Sequence, residues 1–594
     1  MALICIIITL INIFWFYYKR NRSISKSSMY TLIVFSILVV LITEISSYFK
    51  VYNYTSSFFY WGISALASSF VYFRSNLLPL KNLKNTIKSN KIIVLVSVLF
   101  FLLLFIQGIL YPPNNWDSMT YHMARIAHWV MKESVYPYPT HIYRQIYQPP
   151  LSEWIIAQVC ILNKADYFAN AIQLIFLVAS LGVINQIMLI WNQSKRRRMI
   201  AICIAFTTPS VFMQATSTQN DIVVSFFLLS TIFFLTDYFK SFNISSAIYI
   251  GLSIGLAILT KGTALVYLIP IISFCLFFLW KAFLKKQINL ITFISHFLLI
   301  ATLSIAIASP HFYRNYALSG DIFGASDDHY FNKNITIKST GLNLLKNIAN
   351  HASTPITSDL TNQIVEKTHL TLKIPINDEN YSYKGIHFKL NTWNHNEDEV
   401  SNFLQILLFA GVLLFVILRW KKKESLLTFS TLFCLLAFCL FSFLLKWQPW
   451  HMRLQVPLFM MASIPIALFL DHFSQKKIVS PLLGFAIVYC LILAVLNPNR
   501  PIIKNTKQAK LVTRFDNYFI AMPSYEKEYK IWRYKLKSNN PVNWNVHGDT
   551  WEYPIYYDCY STKRKAFKNI NIQNQTKNSK LFFKDSSKIF KAKT

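Results

Sequence analysis

The sequence predicts an all-α membrane protein that crosses the bilayer many times. Three observations predict it. Of 594 residues, 54% are hydrophobic and only 14% charged, whereas a soluble chain carries about a quarter charged residues. Apolar runs close to the roughly 20 residues needed for a bilayer span recur along the chain. The remaining charges are one-sided, with 59 Lys and Arg against 26 Asp and Glu for a net charge of +33, and most basic residues lie between the apolar runs, as they do in polytopic proteins. The same distribution argues against a nucleic-acid partner, because no basic stripe forms on a polar face. Hydrophobicity excludes disorder for most of the chain.

The first run, 2–18, is followed by Lys19-Arg20-Asn21-Arg22. A cleaved signal would carry its charge in front, so this run is read as a retained span. Further runs lie at 29–49, 57–73, 92–110, 168–191, 199–214, 219–238, 244–260, 262–280, 289–309, 403–419, 426–445, 453–470 and 478–496. They predict about 12–14 spans. With fourteen, every short basic cluster (19–26, 74–91, 195–198, 281–286, 419–423 and 476–477) falls on one side, which the positive-inside rule makes cytoplasmic. Residues 1–91 then form the N-terminal spans. Residues 92–496 form the core, with external segments at about 111–167 and 310–402. Residues 497–594 form a basic external extension, whose last thirty or so residues, rich in Lys, Asn and Ser, are expected to be disordered. The eight cysteines contain no C-x-x-C pair, so neither a zinc site nor a disulfide framework is indicated. No internal repeat supports an inverted-repeat transporter.

The first external segment carries most of the chemistry. Asp117 follows a span end, and Tyr121, His122, Arg125, His128 and Trp129 recur after it at helical spacing, which predicts an interfacial amphipathic helix. Residues 136–150 hold four prolines and Arg144 and predict an ordered extended loop over the membrane surface. A carboxylate at the membrane–water boundary beside His and Arg suits general-base work on a hydroxyl, but Asp is also a good helix N-cap. Asp221 opens a later span and divides between the same two readings. Lys261, within Thr260-Lys261-Gly262-Thr263, either snorkels or meets an anion. Arg314 and Arg453 lie at external span ends, where the orientation rule asks for no positive charge, and Arg suits bidentate phosphate binding. If the spans bundle, one or two carboxylates and three cations converge at the outer surface. Transfer from a lipid-linked phosphate needs such a set. No P-loop, dinucleotide, zinc-protease or nucleophile-elbow motif occurs.

In order, these residues resemble a family. An Asp in the first external loop, a T-K-G between middle spans, Arg314-Asn-Tyr-x-x-x-Gly320 followed by Asp321-Ile-Phe-Gly324, and Arg453 ahead of Pro457 are similar to the GT-C membrane glycosyltransferases. The branch is the one with protein mannosyltransferase-like and lipid A aminoarabinose transferase-like enzymes. Asp117 to Trp129, Ile142 to Pro150 and Gly548-Asp-Thr-Trp-Glu-Tyr-Pro554 are similar to a bacterial subgroup of GT-C-like proteins. The resemblance spans about 92–557. It implies a GT-C-like helical bundle in a bacterial inner (plasma) membrane. It also implies inverting transfer of a sugar from a polyprenyl-phosphate-linked donor to a glycan, lipid or protein acceptor on the external, periplasmic face. In that reading Asp117 is the general base, and Lys261, Arg314 and Arg453 contact the donor phosphate. Tyr121, His122, Arg125 and Arg144 are candidate substrate contacts of the first loop, with His122 and Arg125 equally readable as headgroup-facing anchors. Many members carry two adjacent acidic residues where this chain has Asp117 alone, between Trp116 and Ser118. Asp221 or Glu153 is then the candidate second carboxylate, and the need for a divalent metal is left open. Two rival functions stay open: a transporter or flippase of lipid-linked glycans, and an oligosaccharide ligase or polymerase.

Overall fold

The computed structural model describes residues 2–74, 91–324, 330–390, 396–419, 425–473, 477–506, 508–510, 512–538, 542–546, 548–557, 559–560 and 567–583. Among these, a helix coincides with each apolar run. We number them α1 (Leu3–Asn21), α2 (Ile24–Tyr48), α3 (Tyr54–Arg74), α4 (Lys91–Leu110), α5 (Ile172–Ile190), α6 (Lys195–Phe206), α7 (Asp221–Ser241), α8 (Ile244–Thr260), α9 (Ala264–Leu284), α10 (Leu290–Ser319), α11 (Phe403–Leu418), α12 (Ser425–Leu444), α13 (Val456–His472) and α14 (Val479–Val495). Seven helices are long and apolar enough to cross a membrane by length and composition, and six further apolar helices are shorter.

Local chemistry sets the connections at the basic end. Arg22 and Phe242 adopt left-handed backbone after α1 and α7. Ser23, Ser194, Asn243 and Asn289 cap the following helices by accepting a backbone N–H three residues on, which satisfies donors that would otherwise be orphaned. Arg197 Nε donates to Asp471 Oδ2 at 2.7 Å, tying the start of α6 to the end of α13 at this end of the bundle.

Four segments depart from the sequence reading. The 199–214 run is two helices, α6 and Pro209–Gln214, broken at Thr207-Thr208 because Pro209 cannot donate to the preceding turn. Helix α10 continues to Ser319, so residues 310–316, expected beyond a span, are still helical. The first external segment contains an apolar helix of its own, Leu151–Asn163, whose Gln158 Oε1 accepts from Trp61 Nε1 at 3.0 Å. The helix after Asp117, Met123–Lys132 behind a π-helical turn at Ser118–His122, is no interfacial helix with a wet face. Every residue from Ser118 to Val130 is buried.

The cover is the C-terminal extension. Trp551, Tyr553 and Tyr556 are buried with the first segment in one continuous core, and Trp551 meets Trp116 edge-on at 5.7 Å. Of the stretch expected to be disordered, residues 567–583 form a short strand and a 3-10 run. Phe567–Asn569 pairs in parallel with Val542–Trp544, and Thr576 donates to the Thr140 carbonyl at 2.9 Å. Residues 584–594 lie outside the described residues.

Candidate active site

Asp117 lies at the end of the bundle where α4 finishes, 7% exposed. Its side chain caps nothing. Asn115 takes that role, its Oδ1 accepting the Ser118 N–H at 2.7 Å. Asp117 Oδ2 is thus free to accept from Tyr121 OH at 2.9 Å and from Arg453 Nη2. Burial pushes this carboxyl up, but Arg453, with Arg144 and His122 behind it, more than offsets burial and holds it well below the usual carboxylate range.

Arg453 precedes α13 in the short helix His451–Leu454. Its other nitrogen, Nη1, lies 3.1 Å from Asp398 Oδ1. One guanidinium therefore bridges two carboxylates from loops 281 positions apart in number, a geometry suited to its fork. Asp398 Oδ1 also accepts from Gln219 Nε2 at 2.7 Å. Burial, with Asp117 and Glu397 nearby, outweighs Arg453 here and pushes the Asp398 carboxyl up to about 7.

Lys261 and Asp221 form a second pair at the same end, Nζ to Oδ1 at 2.6 Å. Lys261 feels the charges of Arg453 and Asp117, and Arg453 feels Asp221. Of the residues the sequence singles out, the structure therefore gathers Asp117, Tyr121, Arg144, Asp221, Lys261 and Arg453. Arg144 enters through its stacking on the Tyr121 ring, 5.0 Å from the centroid, and pairs with Asp549 of the extension.

The others are engaged elsewhere. Arg314 makes a two-pronged pair with Glu44 of α2, at 2.7 and 2.9 Å. His122 Nδ1 and Arg125 Nη2 both meet Glu153 Oε1 in full burial. Arg125 also donates to the Gln148 and Pro149 carbonyls at 2.8 and 3.2 Å, fixing the proline-rich loop.

Three acidic groups escaped sequence reading. Asp398 is one. Glu397 receives Arg500 Nη2 at 2.7 Å, Asn115 Nδ2 at 2.9 Å and Asn499 Nδ2 at 2.8 Å, so it ties both external segments to the start of the extension. Glu552 accepts from Gln145 Nε2 at 2.8 Å and faces His128 Nε2 at 3.3 Å. A signal existed for the first two: Glu397-Asp398-Glu399 is an acidic run in a chain with a net charge of +33. Among the described residues, no three His, Cys, Asp or Glu side chains gather as a metal-ligand set. Arg453 occupies the space between Asp117 and Asp398.

A cleft of about 880 Å³ adjoins this cluster between the second external segment, α11 and α14. Glu399 and Met452, chain neighbours of Asp398 and Arg453, are among its lining residues, with Lys389, His387, Phe403, Leu404 and Phe485.

Residues 147–313 match the family model described as dolichyl-phosphate-mannose-protein mannosyltransferase. Together with the motif order, that match bears out the resemblance to GT-C membrane glycosyltransferases. No curated protein sequence matches the chain. Among solved structures, the crystal structure of ArnT from Cupriavidus metallidurans bound to undecaprenyl phosphate superposes with a TM-score of 0.47 at 12% identity, covering 82% of this chain and 88% of that one. The apo state of the same protein gives 0.43 at 12% identity, covering 83% and 88%.

Proposed function

We propose that this multi-pass membrane protein is a glycosyltransferase that moves a sugar from a polyprenyl-phosphate-linked donor to an acceptor hydroxyl, with inversion. The observation that carries the reading is the Asp117–Arg453 pair beside Lys261 at one end of an apolar helical bundle. The family model over 147–313, whose description names a polyprenyl-phosphate-linked sugar, supports it. The basic connections at the opposite end support an external, periplasmic placement of the site in a bacterial inner membrane.

The acceptor oxygen attacks the anomeric carbon, the bond from that carbon to the phosphate oxygen breaks, and the acceptor proton passes to Asp117. Charge grows on the departing polyprenyl phosphate, where Arg453 and Lys261 stabilise it. The resting pair keeps Asp117 ionised across physiological pH. When the donor phosphate draws Arg453 away, Asp117 loses its counter-charge and becomes a stronger base. The amphipathic cleft lined by Phe403, Phe485 and Lys389 accommodates a lipid-bearing substrate.

The test is transfer in membranes supplied with a polyprenyl-phosphate-linked sugar. Asp117→Asn should accumulate normally and lose at least about 100-fold in rate, the usual share of a general base. Full activity in that variant sinks the assignment.

A further inference from the structure

Beyond Asp117, the mouth of the site carries a second arrangement. Tyr330 and Tyr383 of the second external segment lie 5.8 Å apart, and Tyr383 meets Trp450 at 5.6 Å, with interplanar angles of 44° and 71°. The Tyr383 hydroxyl lies within electrostatic reach of Arg144 and Asp549, and that of Tyr330 within reach of Arg144 and Asp117. Three half-buried rings thus form a row near the Asp117 cluster and the Arg144–Asp549 pair. Asp549 is 49% exposed and Arg144 24%, so the pair faces water.

The row is pre-formed. Lys446 N–H donates to the Tyr330 carbonyl at 2.8 Å, Trp447 N–H to Tyr381 at 2.7 Å, and Tyr383 N–H to Trp447 at 3.0 Å. These bonds stitch the second segment to the residues before Arg453. Trp447 beneath is fully buried against Phe388 at 5.0 Å. An interfacial aromatic belt would sit on lipid-facing helix ends. These rings instead sit on loops stitched to one another by backbone hydrogen bonds.

Half-exposed rings offer faces of negative potential to the C–H edges of a ring that has no charge of its own. Asp549 accepts two hydrogen bonds and Arg144 donates several, a pairing that suits adjacent hydroxyls. The two charges compensate each other, so an anionic group gains little there. We infer that the Tyr330–Tyr383–Trp450 row with Arg144 and Asp549 binds a sugar ring of the acceptor, so that the acceptor is a glycan. This rests on the glycosyl-transfer reading above and deepens it.

Saturation-transfer NMR on the full chain in nanodiscs tests it, with neutral oligosaccharides released from the source cell envelope as probes. Sugar C–H signals are expected with the wild type. They should fall at least tenfold in Tyr383→Ala and in Trp450→Ala, survive in Tyr383→Phe, and persist when undecaprenyl phosphate is added. No signal with the wild type, or equal signal in both alanine variants, overturns the inference. Displacement of the sugar by undecaprenyl phosphate also overturns it, because the row would then serve the donor. The binding readout needs neither donor nor transfer. Failure of Asp117 as the base therefore shows in the transfer assay and leaves this binding result unchanged.

Discussion

Arg453 serves two carboxylates of opposite electrostatic fate. Asp117 is held ionised, while Asp398 is pushed up to about 7 chiefly by burial. Raising a carboxyl above its ordinary value means that the folded state holds a proton between about pH 4 and 7 that the unfolded chain has released. Stability from this group therefore falls as pH rises from 4 to 7, and the full cost stands above 7. Asp398→Asn should raise thermal stability at pH 8, by up to about 4 kcal/mol for a carboxyl moved from its ordinary value to about 7, and do little at pH 4. A melt series in detergent reads the difference, and an equal gain at both pH values would contradict it. The same variant leaves Arg453 to Asp117 alone, so any limb near pH 7 in the wild-type rate profile should vanish. Little of this was legible in the sequence. Asp117 and Arg453 lie 336 positions apart, and spacing shows such a pair only after the helices are bundled. Asp398 sits in a polar loop without periodicity, where an acidic residue looks like solvated surface.

The helices themselves were legible, because an apolar run needs no partner to declare itself. Their contacts were less so. Helices α8 and α10 approach at Gly251 and Gly255, where an added Cβ would meet the Ile300 carbonyl oxygen at 2.9 Å and Ser304 at 3.0 Å. Small residues permit this closeness. Gly255→Leu should therefore separate the pair and lower the melting temperature, whereas Gly262→Leu, with open space at its Cβ, should not. Glu44 lies inside an apolar run, and nothing in that run points to Arg314 as its partner. The two-pronged bond joins α2 to α10, with Arg314 buried and Glu44 24% exposed, so removing either side costs less than the about 3–5 kcal/mol of a fully buried pair. If Arg314 serves only that clamp, Glu44→Gln and Arg314→Gln should lower stability and activity to similar extents. If Arg314 also meets the donor phosphate, Arg314→Gln should lose at least tenfold more activity at matched protein levels. A transfer assay alongside size-exclusion profiles separates the two.

At the scale of the whole molecule, the net charge of +33 divides by place. Basic turns such as 19–26 and 195–198 lie at one end of the bundle, and Arg453 and Lys261 at the other end face carboxylates. The extension spends several of its charges on contacts within the protein. Arg500 enters the Glu397 cluster, Arg514 Nη2 meets Asp166 at 2.8 Å, and Glu552 faces Gln145 and His128. Tyr518 and Tyr553 add hydrogen bonds to Asp166, the latter at 3.0 Å. Sequence reading found the Gly548–Pro554 motif of this extension but not its docking, because its partners lie some 350 to 430 positions away. The first segment explains why docking matters: its helix is buried on every side only while Trp551, Tyr553 and Tyr556 cover it. A chain ending after residue 512 keeps Arg500 but loses that cover and the Asp549 partner of Arg144. It should expose the 136–150 loop to protease and lose transfer activity, even where the fourteen helices still insert. A chain ending after residue 583 keeps every one of these contacts and should match the wild type in both assays. Wild-type activity in the shorter chain would mean that the first segment holds Asp117 in place unaided, and that the extension serves another purpose.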